Sequence, residues 1–229
     1  MIAVCRRMND LGINQGTSGN LSVRVDGGFL VTPSGMAYGD LAPDDIVHVG
    51  PDTGFTGHRR PSSEWRFHLD ILAARPDAGA VLHTHSAHAT ALSCLRRGIP
   101  AFHYMVAAAG GRDIRCGGYA TFGTQALSDR AVAALHGRRA CLLANHGLIA
   151  LGATAEKALD LAVEVETLAQ QYLLALGAGE PVLLDDAEMD RVLELFKTYG
   201  SQDPAAGRRW LKRPRQPQVS LPAAKKIKT

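Results

Sequence analysis

His83-Thr84-His85 follows the apolar run Ala80-Val81-Leu82. Alternate side chains on a strand leave the same face, so both imidazoles can grip one metal ion. With nine histidines in the chain, such a pair arises by chance in roughly one chain in three, so its company decides its meaning. Upstream, Pro61-Ser62-Ser63-Glu64 opens a helical pattern; downstream, Asn145-His146-Gly147 closes a second apolar run. Three imidazoles and a displaceable carboxylate, His83, His85, His146 and Glu64, compose a plausible catalytic zinc site. Glu64 would cap the resting metal, yield to a chelating substrate and then act as general base. A cation bound to neighbouring carbonyl and hydroxyl oxygens stabilises enediolate charge, which favours proton removal from carbon or cleavage of a carbon–carbon bond.

A second constellation suits an anion. Ser62 and Ser63 place two hydroxyls at a helix N-terminus, where backbone N–H groups and the dipole favour phosphate. Gly19-Asn20 and Ser34-Gly35 lie in loops too rich in glycine and small polar groups to pack, a use for which is binding. Asn20, Ser34, Gly35, Ser62 and Ser63 together form a candidate phosphate cradle.

The elements that must position these groups are readable from periodicity. Residues 1–10 read as an amphipathic helix stopped at Leu11-Gly12. Segments 21–25 and 29–32 flank the hairpin signal Asp26-Gly27-Gly28, and 46–49 is a short strand. Ser62 is placed to cap a helix that runs to about Ala74, with Trp65, Leu69 and Leu72 as its buried stripe, before Pro76 ends it. A strand over 80–83 leads into a short helix over 87–94, and 101–105 reads as a strand. A helix resumes after Gln125; 140–143 and 148–151 read as strands; Thr154 caps a long helix to about Leu176; 188–199 forms a last helix. No regular β–α alternation emerges, which favours a mixed or antiparallel sheet covered by helices.

The chain's 229 residues, 46% of them hydrophobic, can bury a substantial core. Four cysteines without Cys-x-x-Cys spacing argue against a thiolate zinc module and a secreted disulfide framework. The N-terminus lacks an apolar signal core and the longest apolar stretches are too short to span a bilayer, so the expectation is a cytoplasmic protein. The net charge of +3 hides an asymmetry. Residues 208–229 carry eight Lys or Arg and no acid, leaving 17 basic against 22 acidic side chains before them. Prolines punctuate this tail and no period organises it. It is expected to be disordered and solvated rather than a nucleic-acid contact.

Several motifs in order carry a family resemblance: Leu11-Gly12-Ile13-Asn14-Gln15-Gly16-Thr17-Ser18-Gly19-Asn20, Thr32-Pro33-Ser34-Gly35, Pro61-Ser62-Ser63-Glu64-Trp65-Arg66-Phe67-His68, His83-Thr84-His85 and Asn145-His146-Gly147. The chain resembles the class II aldolase and adducin family over about residues 1–200. His103-Tyr104-Met105, Tyr119-Ala120-Thr121-Phe122-Gly123 and Phe196-Lys197-Thr198-Tyr199-Gly200 are similar to its sugar-phosphate aldolase branch. The resemblance implies a three-layer αβα fold around a central mixed, largely antiparallel sheet, with 1–200 as catalytic domain and 201–229 as tail. It implies Zn2+ on His83, His85 and His146 with Glu64 as fourth ligand and acid–base group, phosphate on the cradle above, and a homotetramer with active sites between subunits. Tyr104 would reach a neighbour's site as proton donor to the aldehyde oxygen, and Tyr199 would help close it. The chain starts about one helical segment short of the usual family start, which leaves open whether this start is internal. Asn145 stands where close aldolases commonly carry another histidine, a position able to alter the surroundings of a ligand.

The expected reaction is reversible cleavage of a ketose 1-phosphate, foremost L-fuculose 1-phosphate, to dihydroxyacetone phosphate and L-lactaldehyde. The same metal could instead serve a 5-deoxypentulose 1-phosphate aldolase, a pentulose-phosphate 4-epimerase, a dehydratase or a sugar-acid phosphate decarboxylase. A non-catalytic adducin-like binding module is the reading from another class; the presence of all four candidate ligands argues against it.

Overall fold

The computed structural model describes residues 1–199. The basic tail foreseen at 201–229 lies outside them. The chain opens with helix α1 (Ile2–Asp10), then the hairpin β1 (Asn20–Val25) and β2 (Gly28–Val31), followed by β3 (Val47–Val49) and β4 (Phe55–Thr56). Helix α2 (Trp65–Ala74) leads to β5 (Ala80–Thr84), α3 (Ala87–Cys94), β6 (Arg115–Gly117) and α4 (Gln125–Ala134). Strands β7 (Ala140–Leu143) and β8 (Gly147–Gly152) precede α5 (Ala155–Ala178) and α6 (Asp186–Phe196).

The eight strands form one sheet in the order β4-β3-β2-β1-β5-β8-β7-β6. Every pairing is antiparallel except β6 with β7. Helices α1, α3, α5 and α6 pack on one face, where Leu21, Leu82, Leu142, Leu148 and Ala150 meet Leu159, Ala162 and Val165. Helices α2 and α4 cover the other, where Val81, Cys141, Ile149 and Leu151 meet Phe67, Ile71, Leu127 and Ala131. The result is three layers with a core on each side of a mixed sheet, and β5 at its centre is buried at all five positions. Coverage on both faces is why 80–82 reads as a continuous apolar run rather than an alternating one.

Three local expectations give way. Segment 101–105 is not a strand: residues 101–103 are bends and Tyr104–Ala109 is a 3-10 turn whose entry is fixed by His103, its Nδ1 accepting the Met105 N–H at 3.2 Å. Ser62 does not cap α2. The helix starts three residues later, and the Ser62 hydroxyl accepts the Glu64 N–H at 3.3 Å in the turn before it, a local alternative open to serine. The buried face of α2 is Phe67, His68, Ile71 and Leu72, with Trp65 and Leu69 only partly covered, because sheet and α4 together wrap a wider arc than one stripe. By contrast Thr154 caps α5 as foreseen, its Oγ1 accepting the Lys157 N–H at 3.3 Å.

Candidate metal and phosphate site

Register sets the imidazoles. On β5 the side chains of Ala80 and Leu82 enter the α5-side core and Val81 the α2-side core, so His83 and His85 follow Val81 toward α2. The β7–β8 connection returns His146 to them through Asn145, which takes φ 55°, a left-handed conformation that asparagine tolerates. Gly147 lets the two hairpin ends close: a Cβ there would lie 2.6 Å from the Thr84 carbonyl oxygen and 2.9 Å from the His85 ring. Gly19 does the same for the loop before β1, where a Cβ would meet Asn14 Oδ1 at 2.4 Å and the His83 carbonyl oxygen at 2.8 Å.

The ligand atoms offered by His83, His85 and His146 lie within 4.8 Å of one another, and their rings stand edge to face in all three pairs. Glu64, the residue that enters α2, brings Oε2 to 3.3 Å from His83 Nε2 and Oε1 to 3.2 Å from His146 Nε2. His83 Nδ1 lies 2.9 Å from the Leu148 carbonyl oxygen. A carbonyl only accepts, so Nδ1 carries the proton and Nε2 presents its lone pair. Among the described residues, Glu64 Oε1, His83 Nε2 and His85 Nε2 are buried with no hydrogen-bond partner. Buried acceptors facing one another are costly unless a shared cation satisfies them. The donor set therefore fits a divalent metal.

Burial holds the His83 imidazole down at about pKa 3, with the neighbouring His85 adding to the effect, and holds His146 at about 4. Burial also lowers His85. All three are neutral near pH 7, the form that ligates metal. Free imidazole titrates near 6.5, so below that pH the unfolded chain takes up protons that the folded chain refuses. For metal-free protein, His83 and His146 should each remove stability by about 1.4 kcal/mol per pH unit as pH falls from 6.5 toward their folded values. Urea unfolding of chelator-treated protein at pH 7.5, 6.0 and 5.0 reads this slope, and equal midpoints across the series would contradict it.

Beside the imidazoles opens a cleft of about 410 Å³, lined by Ser34, Gly35, Ser63, Tyr119, Phe122 and Asn145 among others. Thr17 and Ser18 join the lining from the glycine-rich loop; the loop's small polar character and its place in the first family motif were the signals for them. Asn20 and Ser62 stand behind this surface, both buried. The Asn20 amide nitrogen lies 3.0 Å from Glu64 Oε2 and its carbonyl oxygen 2.6 Å from His68 Nε2. Tyr104 is 48% exposed and outside the cleft, stacked on His103. Tyr199, 60% exposed and stacked on Phe196, borders a separate cavity of about 620 Å³ at the opposite end of β5 and β8. Neither tyrosine meets the imidazoles within one chain.

Residues 1–173 match the family described as Class II Aldolase and Adducin N-terminal domain, and the chain belongs to that family. A 5-methylthioribulose-1-phosphate/5-deoxyribulose-1-phosphate aldolase of Rhodospirillum rubrum is 60% identical over 87% of this chain and 90% of its own length. An L-fuculose phosphate aldolase of Escherichia coli is 53% identical over 87% and 94%. A solved L-fuculose 1-phosphate aldolase superposes with a TM-score of 0.83 at 42% identity, over 86% of this chain and 93% of that one. The protein is a metal-dependent class II aldolase, a carbon–carbon lyase acting on a sugar phosphate. No helix among the described residues is long and apolar enough to cross a membrane.

Proposed function

We propose that the protein reversibly cleaves a 5-deoxypentulose 1-phosphate, or its 5-methylthio analogue, between C3 and C4 to give dihydroxyacetone phosphate and a short aldehyde. The observation that carries this reading is the 60% identity to the Rhodospirillum rubrum enzyme across nearly the whole chain. Tyr119, Ala120 and Phe122 support it by giving the cleft an apolar flank suited to a methyl or methylthio group. L-Fuculose 1-phosphate, which would yield L-lactaldehyde, is the second reading. It draws on the Escherichia coli relative and on Asn145, whose amide beside the cleft suits the extra hydroxyl of that product.

All three substrates share the dihydroxyacetone phosphate half, so one set of residues serves them. Ser34, Gly35 and Ser63 receive the phosphate, with Asn20 and Ser62 forming the floor; the Ser62 hydroxyl accepts from Glu64 N–H and keeps its own proton to donate. His83, His85 and His146 hold the ion, zinc by the chemistry of three imidazoles and a carboxylate, with Glu64 as the fourth, displaceable ligand. Bound there, the ion supplies positive charge beside the ketose carbonyl and hydroxyl oxygens where cleavage leaves negative charge. Glu64 carries the proton to and from C3, and Tyr104 of a neighbouring copy donates to the aldehyde oxygen. Tyr199, which stands away from the imidazoles of its own chain, helps close the site of a neighbouring copy. This division of labour places the active sites between subunits, and the assembly we propose is a homotetramer. The catalytic unit is residues 1–200, in the cytoplasm, where phosphorylated sugars are retained.

Aldehyde release from 5-deoxyribulose 1-phosphate, 5-methylthioribulose 1-phosphate and L-fuculose 1-phosphate, followed on one preparation, tests the substrate. The pentulose phosphates should lead in kcat/KM by about tenfold, the discrimination one misplaced group supports. A lead for L-fuculose 1-phosphate would exchange the two readings, and no release from any would reject both.

A further inference from the structure

His68 is fully buried on the sheet-facing side of α2, in the core rather than the cleft. A buried imidazole needs partners at both nitrogens. Here they are Ser22 Oγ on β1, 2.7 Å from Nδ1, and Asn20 Oδ1, 2.6 Å from Nε2. Asn20 then reaches Glu64 Oε2 through its amide nitrogen at 3.0 Å.

The polarity of this row is set from its end. The Glu64 carboxylate accepts, so Asn20 must present its NH2 group to Glu64 and its carbonyl oxygen to His68. That carbonyl accepts in turn, so His68 must carry its proton on Nε2, and Nδ1 accepts the Ser22 hydroxyl proton. Burial keeps the ring neutral by pushing its pKa well below the usual imidazole range, as this arrangement needs. Only one direction of donation satisfies all four side chains, and it turns Asn20 so that its N–H faces the carboxylate.

We infer that Ser22, His68 and Asn20 form a positioning row that fixes the Glu64 carboxylate for proton transfer at the substrate carbon. His68 touches neither ion nor substrate and acts through Asn20. Without the Nε2–H, the buried Asn20 carbonyl oxygen loses its donor, and the amide that holds the carboxylate is no longer pinned in one place. The inference rests on the role proposed for Glu64.

The test reads proton transfer by itself. Dihydroxyacetone phosphate and the metal-loaded enzyme are placed in D2O without aldehyde, and exchange of the hydroxymethyl hydrogen is followed by NMR, alongside kcat, KM and bound metal. His68→Phe, close in volume but without donors, should slow exchange and kcat together by about 10- to 100-fold, the usual cost of losing a partner behind a ligand. KM and metal content should stay near those of the parent protein. His68→Gln, whose amide nitrogen can stand in for Nε2–H, should recover most of the loss, and Ser22→Ala should show a smaller one. These two variants decide the matter if His68→Phe does not fold.

Exchange at the parent rate in His68→Phe or in Ser22→Ala would overturn the inference, as would a loss in His68→Gln as deep as that in His68→Phe. So would a fall in activity that only tracks lost metal. Glu64→Gln beside them separates the failures. If it abolishes exchange while the His68 variants keep it, only the positioning row is wrong; if it leaves exchange intact, the role of Glu64 fails first.

Discussion

Glu64→Gln should lower kcat by about a thousandfold, within the range general acid–base catalysis contributes, with bound metal close to that of the parent protein. The substitution is nearly isosteric and its carbonyl oxygen can still accept from Asn20, so the turn entering α2 has no reason to move. It removes the basicity that takes the proton and the charge that faces His83 and His146 at 3.3 and 3.2 Å. Three imidazoles remain to hold the ion. The comparison to make is kcat on the preferred ketose phosphate with metal content on the same sample. Turnover within threefold of the parent would show that another group moves the proton.

The second large effect is at His83. Its ring is fully buried, and its Nδ1–H donates to the Leu148 carbonyl at 2.9 Å, so it is both a ligand and a tie between β5 and β8. His83→Ala should bind less than about a tenth of the parent's metal, lose turnover to background and fail to recover in excess zinc, since only two imidazoles and a carboxylate that must leave for the substrate remain, one short of the three ligands a catalytic site keeps throughout. Chelator-treated parent protein should lose activity equally and regain it when metal is returned. The variant should also be less stable than metal-free parent by about 2–4 kcal/mol, the cost of a core cavity plus an unanswered carbonyl. Elemental analysis, circular dichroism and urea unfolding separate these effects. Parent-level metal in His83→Ala would remove this residue from the ligand set.

Much of this was legible in the chain because the informative signals are local. The two-residue spacing of His83 and His85 after an apolar run fixes a common face, Asp26-Gly27-Gly28 fixes a hairpin, and Thr154 fixes the start of α5. Pro61-Ser62-Ser63-Glu64 and Asn145-His146-Gly147 offered the carboxylate and the third imidazole, and motif order then supplied the family that joins them to His83 across 19 and 63 residues. What escaped was pairwise and long range. Nothing in the spacing says that Ser22 faces His68, or that Asn20, assigned to phosphate, turns its amide to Glu64. The edge strands β4 and β6, two and three residues long, are too short to carry a period. Segment 101–105 has the apolar content of a strand, yet a His103 side-chain contact and the packing of α6 on the turn that follows impose another shape.

The ring-bearing strand β5 is zipped on one side to β1, some 60 positions away, and on the other to β8, nearly 70 positions away. Bringing such distant segments together carries the largest loop-closure cost and comes late in chain collapse. Until the β5–β8 seam has closed, His146 does not join His83 and His85, and the open polypeptide offers the ion only the flexible pair on β5. Tight capture of the cation therefore doubles as a certificate of completed assembly: copies that cannot shut the β5–β8 seam lack the third imidazole and would not compete for it.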